Sequence, residues 1–310
     1  MIKKEFRISD EYGAGERLDV FLSRQVREFA RSEWQRFIDK RHVRVNGAPR
    51  KPSLRLREGD TVVAEYEPPA PVPLLPEDIP LGVLYEDADL AVLDKPSGLM
   101  VHPGAGKSSG TLVNALLRRY PEVRGLGPEE RAGIVHRLDR ATSGVIVVAR
   151  SPLAYEELKR QFKGREVKKI YAALVYGKMP RPEGTMDWPI GRHTHHGQKY
   201  SIVTRKPRVA ITDYTVLEEF AEHSLLEVRP HTGRTHQIRV HLSAAGHPVA
   251  GDRKYGGRKA GPEFPRLFLH ARRLGFRHPA AGVWMEFEAP LPAELEKILA
   301  DVRSADVREL

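Results

Sequence analysis

Asp139 is the residue around which chemistry could be built. It lies in Gly133-Ile134-Val135-His136-Arg137-Leu138-Asp139-Arg140-Ala141-Thr142-Ser143-Gly144, a lone carboxylate between Arg137 and Arg140. The run Val145 to Ala149 that follows is short, β-branched and ended by Arg150-Ser151-Pro152, so it reads as a buried strand with Asp139 on the loop entering it. An ionised carboxylate can serve as a nucleophile. A carboxylate flanked by cations is more often a surface ion pair of little energetic weight. Two later stretches bear on that choice. Tyr171 sits in the apolar, aromatic strand pattern Ile170 to Tyr176, where most tyrosines are packing residues. In His231 to Leu242, Thr232-Gly233 signals a turn and Thr235 is the expected helix N-cap; Ile238, Leu242 and Ala245 then form a short helical face that Gly246 ends.

Other chemistries fall away. The chain has no cysteine, which removes disulfides, thiolate catalysis and cysteine zinc sites. A phosphate loop around Gly104 to Ser108 would need glycine where Val101 stands, and a dinucleotide fingerprint would need it at Ser109. His193-Thr194-His195-His196 lacks neighbouring carboxylates and is flanked by Arg192 and Lys199, so it reads as a basic loop facing a polyanion rather than a metal site.

The elements that must position these residues follow from periodicity. Leu18, Phe21, Leu22, Val26 and Phe29 give one amphipathic helix. Ser32-Glu33-Trp34-Gln35 has the form of a capping box opening a second, with Trp34, Phe37 and Ile38 on its buried face. Val43 and Val45 alternate around Arg44 before the turn at Asn46-Gly47, and Thr61 to Tyr66 is a further strand. Six prolines between 68 and 80 predict an extended, tethering linker. Beyond it come a hairpin across Gly82 to Leu93, a helix from Thr111 to Tyr120, and a helix from Pro152 to Lys163 with Gly164 just past its end. Short strands alternating irregularly with few helices indicate an α+β fold.

Charge points to a polyanion. The net charge is +10, from 51 Lys and Arg against 41 Asp and Glu. Nine basic residues between Arg31 and Arg57 face only Glu33 and Asp39, so most of that surplus is local. Each phosphate neutralised releases condensed counterions, which favours a nucleic-acid partner, and no basic amphipathic helix with apolar anchors argues for a membrane. No apolar run is long enough to span a bilayer and the first residues are charged, so a cytoplasmic protein is expected.

The words HRLDRATSG resemble the active-site motif of the RluA/RluD family of pseudouridine synthases. Lys169-Ile170-Tyr171-Ala172-Ala173 is similar to that family's K-x-Y-x-A motif, and Gly233-Arg234-Thr235-His236-Gln237-Ile238-Arg239-Val240-His241-Leu242 to its third. Gly246 to Asp252, Tyr255-Gly256 and Leu269-His270-Ala271 complete the order. Arg17-Leu18-Asp19, Arg31-Ser32, Val43 to Gly47 and Gly59-Asp60 resemble an S4 RNA-binding domain. The resemblance implies an S4-like domain at 1–67, a linker at 68–80, and at 81–310 a catalytic domain with a long, bent, mainly antiparallel sheet and a central cleft.

It also implies an enzyme that breaks the C1′–N1 bond of uridine in RNA, turns the uracil and rejoins it through C5. Nothing is oxidised and no group is imported, so no cofactor and no metal are expected. Asp139 would be the nucleophile, Arg239 its ion-pair partner, and Tyr171 the residue that stacks on the base and takes the proton leaving C5. Arg137, or else His136, would fill the gap left by the flipped base, with Arg140, Lys169, Arg234, His236 and Gln237 as further RNA contacts. Arg31, Arg36, Lys40, Arg41, Arg44, Arg50 and Lys51 would form the S4 surface. Lys95 to Gly104 is most similar to the branch acting on large-subunit rRNA, and a monomer is expected. The family usually has an acidic residue after the second arginine, where this chain has Ala141. The alternatives are a synthase acting on tRNA and a non-catalytic ribosome-assembly protein with a vestigial site; an RNA-hydrolysing enzyme would lack a second carboxylic acid or a metal.

Overall fold

Apolar periodicity in the first 66 residues closes into one core in the computed structural model, which describes all residues except 27, 68–73, 103–108, 129–130, 195–198, 205, 258–263 and 309–310. The chain divides into two units, Met1–Val72 and Pro73–Leu310. In the first, β1 (Ile2–Arg7), β2 (Val43–Val45), β3 (Ala48–Pro49) and β4 (Thr61–Tyr66) form an antiparallel sheet in the order β1-β4-β2-β3. Helices α1 (Leu18–Gln25) and α2 (Arg31–Asp39) contribute Leu18, Phe21, Leu22, Trp34 and Ile38 to the core beneath it. Asn46 and Gly47 both take positive φ, 52° and 76°, as the two-residue hairpin between β2 and β3 demands.

The cap of α2 differs from expectation. The helix starts at Arg31, and the Glu33 carboxylate accepts the Ala30 N–H at 2.6 Å. Gln35 does not reach back to a cap; its amide donates to Asp19 at 2.6 Å. Asp19 is fully buried and also accepts from Arg17 and Arg31. Arg31, half exposed, spends part of its guanidinium on Asp19. The other six expected S4 cations, Arg36, Lys40, Arg41, Arg44, Arg50 and Lys51, are all exposed, and among the described residues none has an ion-pair partner.

In the second unit, β5 (Gly82–Glu86), β6 (Leu90–Lys95), β7 (Ser143–Ala149), β8 (Lys168–Tyr176), β9 (Glu183–Met186), β12 (Thr212–Glu219), β13 (His223–Pro230), β14 (Leu269–Arg277) and β15 (Trp284–Glu288) make one sheet, while β10 (Gly191–Arg192) and β11 (Tyr200–Ser201) pair separately. The order is β5-β6-β7-β14-β8-β13-β12-β9, with β15 added to β14. All pairs are antiparallel except β7 with β14. β7 is buried at every position, as its continuous apolar run requires, with α3 (Leu112–Arg119) and α4 (Pro152–Gly164) contributing to the same core. Helix α5 (Gln237–Ala244) packs in a second cluster with β8 and β13, and α6 (Ala293–Arg308) closes a third.

The junction of β7 and β14 builds the platform for Asp139. β7 pairs with His270 and Ala271 only; a bulge at Arg272 then lets β15 take over the same edge from Arg273 to Arg277. Gly144 lies against Ala271 with φ 114°, and a Cβ there would collide with the Ala271 carbonyl.

The expected linker needs correction in part. Residues 68–73 lie outside the described residues, but 74–80 are strapped to the catalytic unit: Asn114 donates to the Leu75 carbonyl at 2.8 Å and Glu77 N–H to the Asn114 carbonyl at 3.0 Å. Gly164 is the last residue of α4, and Arg165 takes the left-handed position with φ 62°. Among the described residues no helix is long and apolar enough to cross a membrane.

Burial pushes the Asp19 carboxyl up, but hydrogen bonds from Arg17, Gln35 and Arg31 override it and hold it far below the ordinary carboxylate range. The folded pKa is depressed, so this stabilisation is present above the unfolded value of about 4 and is lost only as pH falls through the folded one. Asp19→Ala is expected to cost about 3 kcal/mol, the low end for a broken buried pair, since both arginines can turn to water. Urea unfolding read by tryptophan emission reports it, because Trp34 is fully buried whereas Trp188 and Trp284 are 38% and 45% exposed. An unchanged midpoint would remove Asp19 from the unit's stability.

Candidate active site

Three stretches distant in sequence converge on a cavity of about 570 Å³. The loop before β7 brings Arg137 and Asp139, β8 brings Lys169 and Tyr171, and the turn into α5 brings Arg234, His236 and Arg239. The Asp139 loop is held from outside the cavity. Gly98 N–H donates to the Arg140 carbonyl at 2.8 Å, Ser97 hydroxyl to the Ala141 carbonyl at 2.9 Å, and Arg140 Nε back to the Gly98 carbonyl at 3.0 Å. Lys95, only 1% exposed, ties this turn together by donating to the Pro96 and Leu99 carbonyls at 2.7 and 2.9 Å. Burial, then the nearby Arg266 charge, brings its ammonium down to about 8.

Arg239 Nη1 donates to Asp139 Oδ2 at 3.0 Å. Among the described residues nothing hydrogen-bonds Asp139 Oδ1, so one oxygen is anchored and the other is available. The other side of the guanidinium is held by Asp252, with Nε to Oδ2 at 2.7 Å and Nη2 to Oδ1 at 2.9 Å. Asp252 is 1% exposed and its Oδ1 also accepts the Lys254 and Tyr255 amides. Bidentate pairing fixes the plane of Arg239, and so the direction in which its remaining N–H meets Asp139. The Tyr255 ring lies 5.1 Å from the guanidinium carbon. Asp252 and Tyr255 were missed as positioning residues, although both lie in the motif run that follows α5; nothing in that run says which charge faces them.

Tyr171 lines the cavity. Burial, then the charge of Asp139, push its phenol upward, so it stays protonated across the physiological range. A protonated phenol cannot take a proton without passing on its own, which weighs against a general-base role and leaves the ring's contact with a base. Lys169 donates to the Thr232 carbonyl at 3.3 Å, and burial, then Arg165, bring its ammonium down to about 8.

Two expectations for RNA contact, Gln237 and His136, are corrected. Gln237 is buried and its amide is wholly committed: the oxygen accepts from Thr232 hydroxyl and Arg234 N–H, and the nitrogen donates to the Ile211 carbonyl and Thr212 hydroxyl oxygen. His136 stacks on Phe162 and its Nε2 accepts the Val147 N–H at 3.0 Å; burial, then Lys169, bring it down to about 3, so the neutral ring is part of the wall and cannot swing into an RNA stack. Arg140 is exposed but its guanidinium turns toward the Gly98 carbonyl. Arg137 is exposed at the cavity, and Arg234 also lines it while bonding the Val209 carbonyl at 2.9 Å.

The N-cap of α5 is His236 in left-handed conformation, φ 57°, rather than Thr235. That conformation places its Nδ1 2.7 Å from the Tyr255 hydroxyl and its Nε2 3.9 Å from Asp139 Oδ2. Burial, partly offset by Asp139, brings His236 down to about 4, so its imidazole is neutral. Of the histidine cluster, residues 195 and 196 lie outside the described residues. Among those described, Asp87, Asp89 and His278 could converge on a cation, but Asp87 Oδ2 already accepts from Tyr85 and His278 and Asp89 Oδ1 from Ser151.

Residues 89–244 match the RNA pseudouridylate synthase family and residues 16–62 the S4 domain. The chain is 43% identical over 304 residues to an RNA pseudouridine synthase of Aquifex aeolicus, covering 95% of each. It is 42% identical over 315 residues to ribosomal large subunit pseudouridine synthase D of Pseudomonas aeruginosa, covering 98% of this chain and 97% of that one. The solved structure of human RNA pseudouridylate synthase domain containing 1 superposes with a TM-score of 0.59 at 30% identity, over 74% of this chain and 96% of that one. Motif order, sheet and cavity thus agree with these likenesses: the chain belongs to the RNA pseudouridylate synthase family, carries an S4 domain, and isomerises uridine in RNA.

Proposed function

We propose that this enzyme converts uridines of large-subunit rRNA to pseudouridine in the cytoplasm, as a single chain, with Asp139 as nucleophile. The observation that carries the nucleophile is the asymmetric pairing of Asp139, one oxygen bonded to Arg239 and the other without a described partner. The target class is supported by the likeness over nearly the whole length to the large-subunit enzyme of Pseudomonas aeruginosa.

In this reading the flipped uridine enters beside Asp139 and Tyr171, and Arg137 fills the space it leaves in the RNA. The C1′–N1 bond breaks with the carboxylate assisting, the uracil turns within the cavity, and C5 bonds to C1′. A proton leaves C5 and one is gained at N1, so the reaction is balanced without a co-reactant. Arg239 holds one oxygen of the Asp139 carboxylate in place. Tyr171 holds the uracil plane while it turns.

Tritium release from RNA labelled at C5 of uridine tests this. Wild type is expected to release tritium from transcribed large-subunit rRNA and Asp139→Asn to release none, with RNA affinity equal in both. Release by the variant at the wild-type rate would overturn the nucleophile, and release from tRNA alone would overturn the target. Tyr171→Phe is expected to keep RNA affinity and lose less than about 10²-fold in single-turnover rate, since its phenol is not the base; a loss of about 10²–10⁴-fold would restore that role.

A further inference from the structure

Behind the catalytic cavity lies a second one, of about 460 Å³, whose lining has a different chemistry. Its floor is apolar, with Val240 of α5 packed beside Ile202. Tyr200 and Tyr255 give it aromatic surface, and Lys199, Arg253 and Lys254 give it three cations. No carboxylate lines it among the described residues.

The two cavities share a wall. Tyr255 lines the second and bonds His236, which lines the first. Tyr255 oxygen also accepts the Tyr200 backbone N–H at 3.1 Å, so the β11 strand is fastened to the same hydroxyl. Lys254 lies within electrostatic reach of both Arg239 and Asp139. The two cavities are therefore adjacent, joined through the Tyr255–His236 bond.

We propose that the second cavity binds the RNA nucleotide adjoining the target uridine, with its phosphate on Lys199 and Arg253 and its base against Tyr200. The inference rests on the reading of the first cavity as the uridine site. A flipped nucleotide stays covalently joined to its neighbours, so a chain entering the first cavity brings an adjoining phosphate and an unstacked base with it. Cations beside aromatic rings with no competing carboxylate are what an unstacked nucleotide requires, the cations for the phosphate and the rings for a base of any identity. Stacking on a ring is sequence-tolerant, so the subsite adds affinity and placement rather than choice of base.

The test uses the full chain and transcribed large-subunit rRNA, with dissociation constants measured over a range of salt and tritium release measured at saturating RNA. Lys199 and Arg253 are exposed, so their replacement leaves the catalytic residues in place; Tyr200 holds Tyr255 through its backbone, but its ring also meets His236 edge-on at 5.8 Å. Lys199→Ala with Arg253→Ala is expected to lower the slope of log affinity against log salt by about one, since the two cations share one phosphate. Tyr200→Ala is expected to weaken binding by about tenfold with little change in that slope. The saturating rate should match wild type in the Lys199 and Arg253 double variant. Unchanged affinity and slope in these variants, while wild type releases tritium, would overturn the subsite alone; absence of release by wild type from this RNA would instead fault the uridine-site reading on which it rests.

Discussion

The site depends on one guanidinium shared by two carboxylates. Arg239 gives Nε and Nη2 to Asp252 and Nη1 to Asp139. Asp252 is fully enclosed and spends its Oδ1 on two further backbone amides, so it cannot drift. The buried charge of Arg239 is thereby neutralised by a partner that takes no part in chemistry, and Asp139 needs to surrender only one oxygen to the pair. A lone Arg239–Asp139 pair in the same place would tend to become bidentate, closing both carboxylate oxygens. Dividing the guanidinium between two acids is what keeps Asp139 both anchored and available.

The backbone under Asp139 is held with similar economy. β7 runs parallel to β14 over two residues only, at a point where Gly144 must lack a side chain. From the other side, the Lys95 to Gly98 turn takes hold of the Arg140 and Ala141 carbonyls. Lys95 is a costly residue to bury, and its bonds to the Pro96, Leu99 and Arg140 carbonyls offset that cost by satisfying its three N–H groups. Ala141 takes part in this clamp through its carbonyl.

Much of this was legible in sequence because it is local. The strand after Asp139, the Asn46-Gly47 hairpin and the helix opened by Thr111 are set by residues a few positions apart. The roles of polar residues were less so, because a polar side chain in a motif reads alike whether it faces RNA or the interior. Gln237 and His136 both looked like nucleic-acid contacts, yet each is committed to partners brought near only by the fold, and Arg31 spends part of its guanidinium in the same way. Asp252 was visible as part of a motif but without a role, since its partner lies across a turn on α5. Caps misled for a related reason: Ser32 and Thr235 are good cap residues, but Glu33 already serves the Ala30 amide and His236 is drawn into left-handed conformation where it meets Tyr255.

The most direct test of the shared guanidinium is the single-turnover rate of uridine isomerisation by Asp252→Asn, measured beside its RNA affinity. Asparagine keeps the shape and loses the charge, so Arg239 is no longer reserved and can close on both oxygens of Asp139. A rate lowered by about tenfold or more, with RNA affinity near that of wild type and measured well below the variant's lowered thermal midpoint, is the result this account predicts. A wild-type rate in that variant would contradict it, and would mean that Asp139 is positioned without help from the second carboxylate.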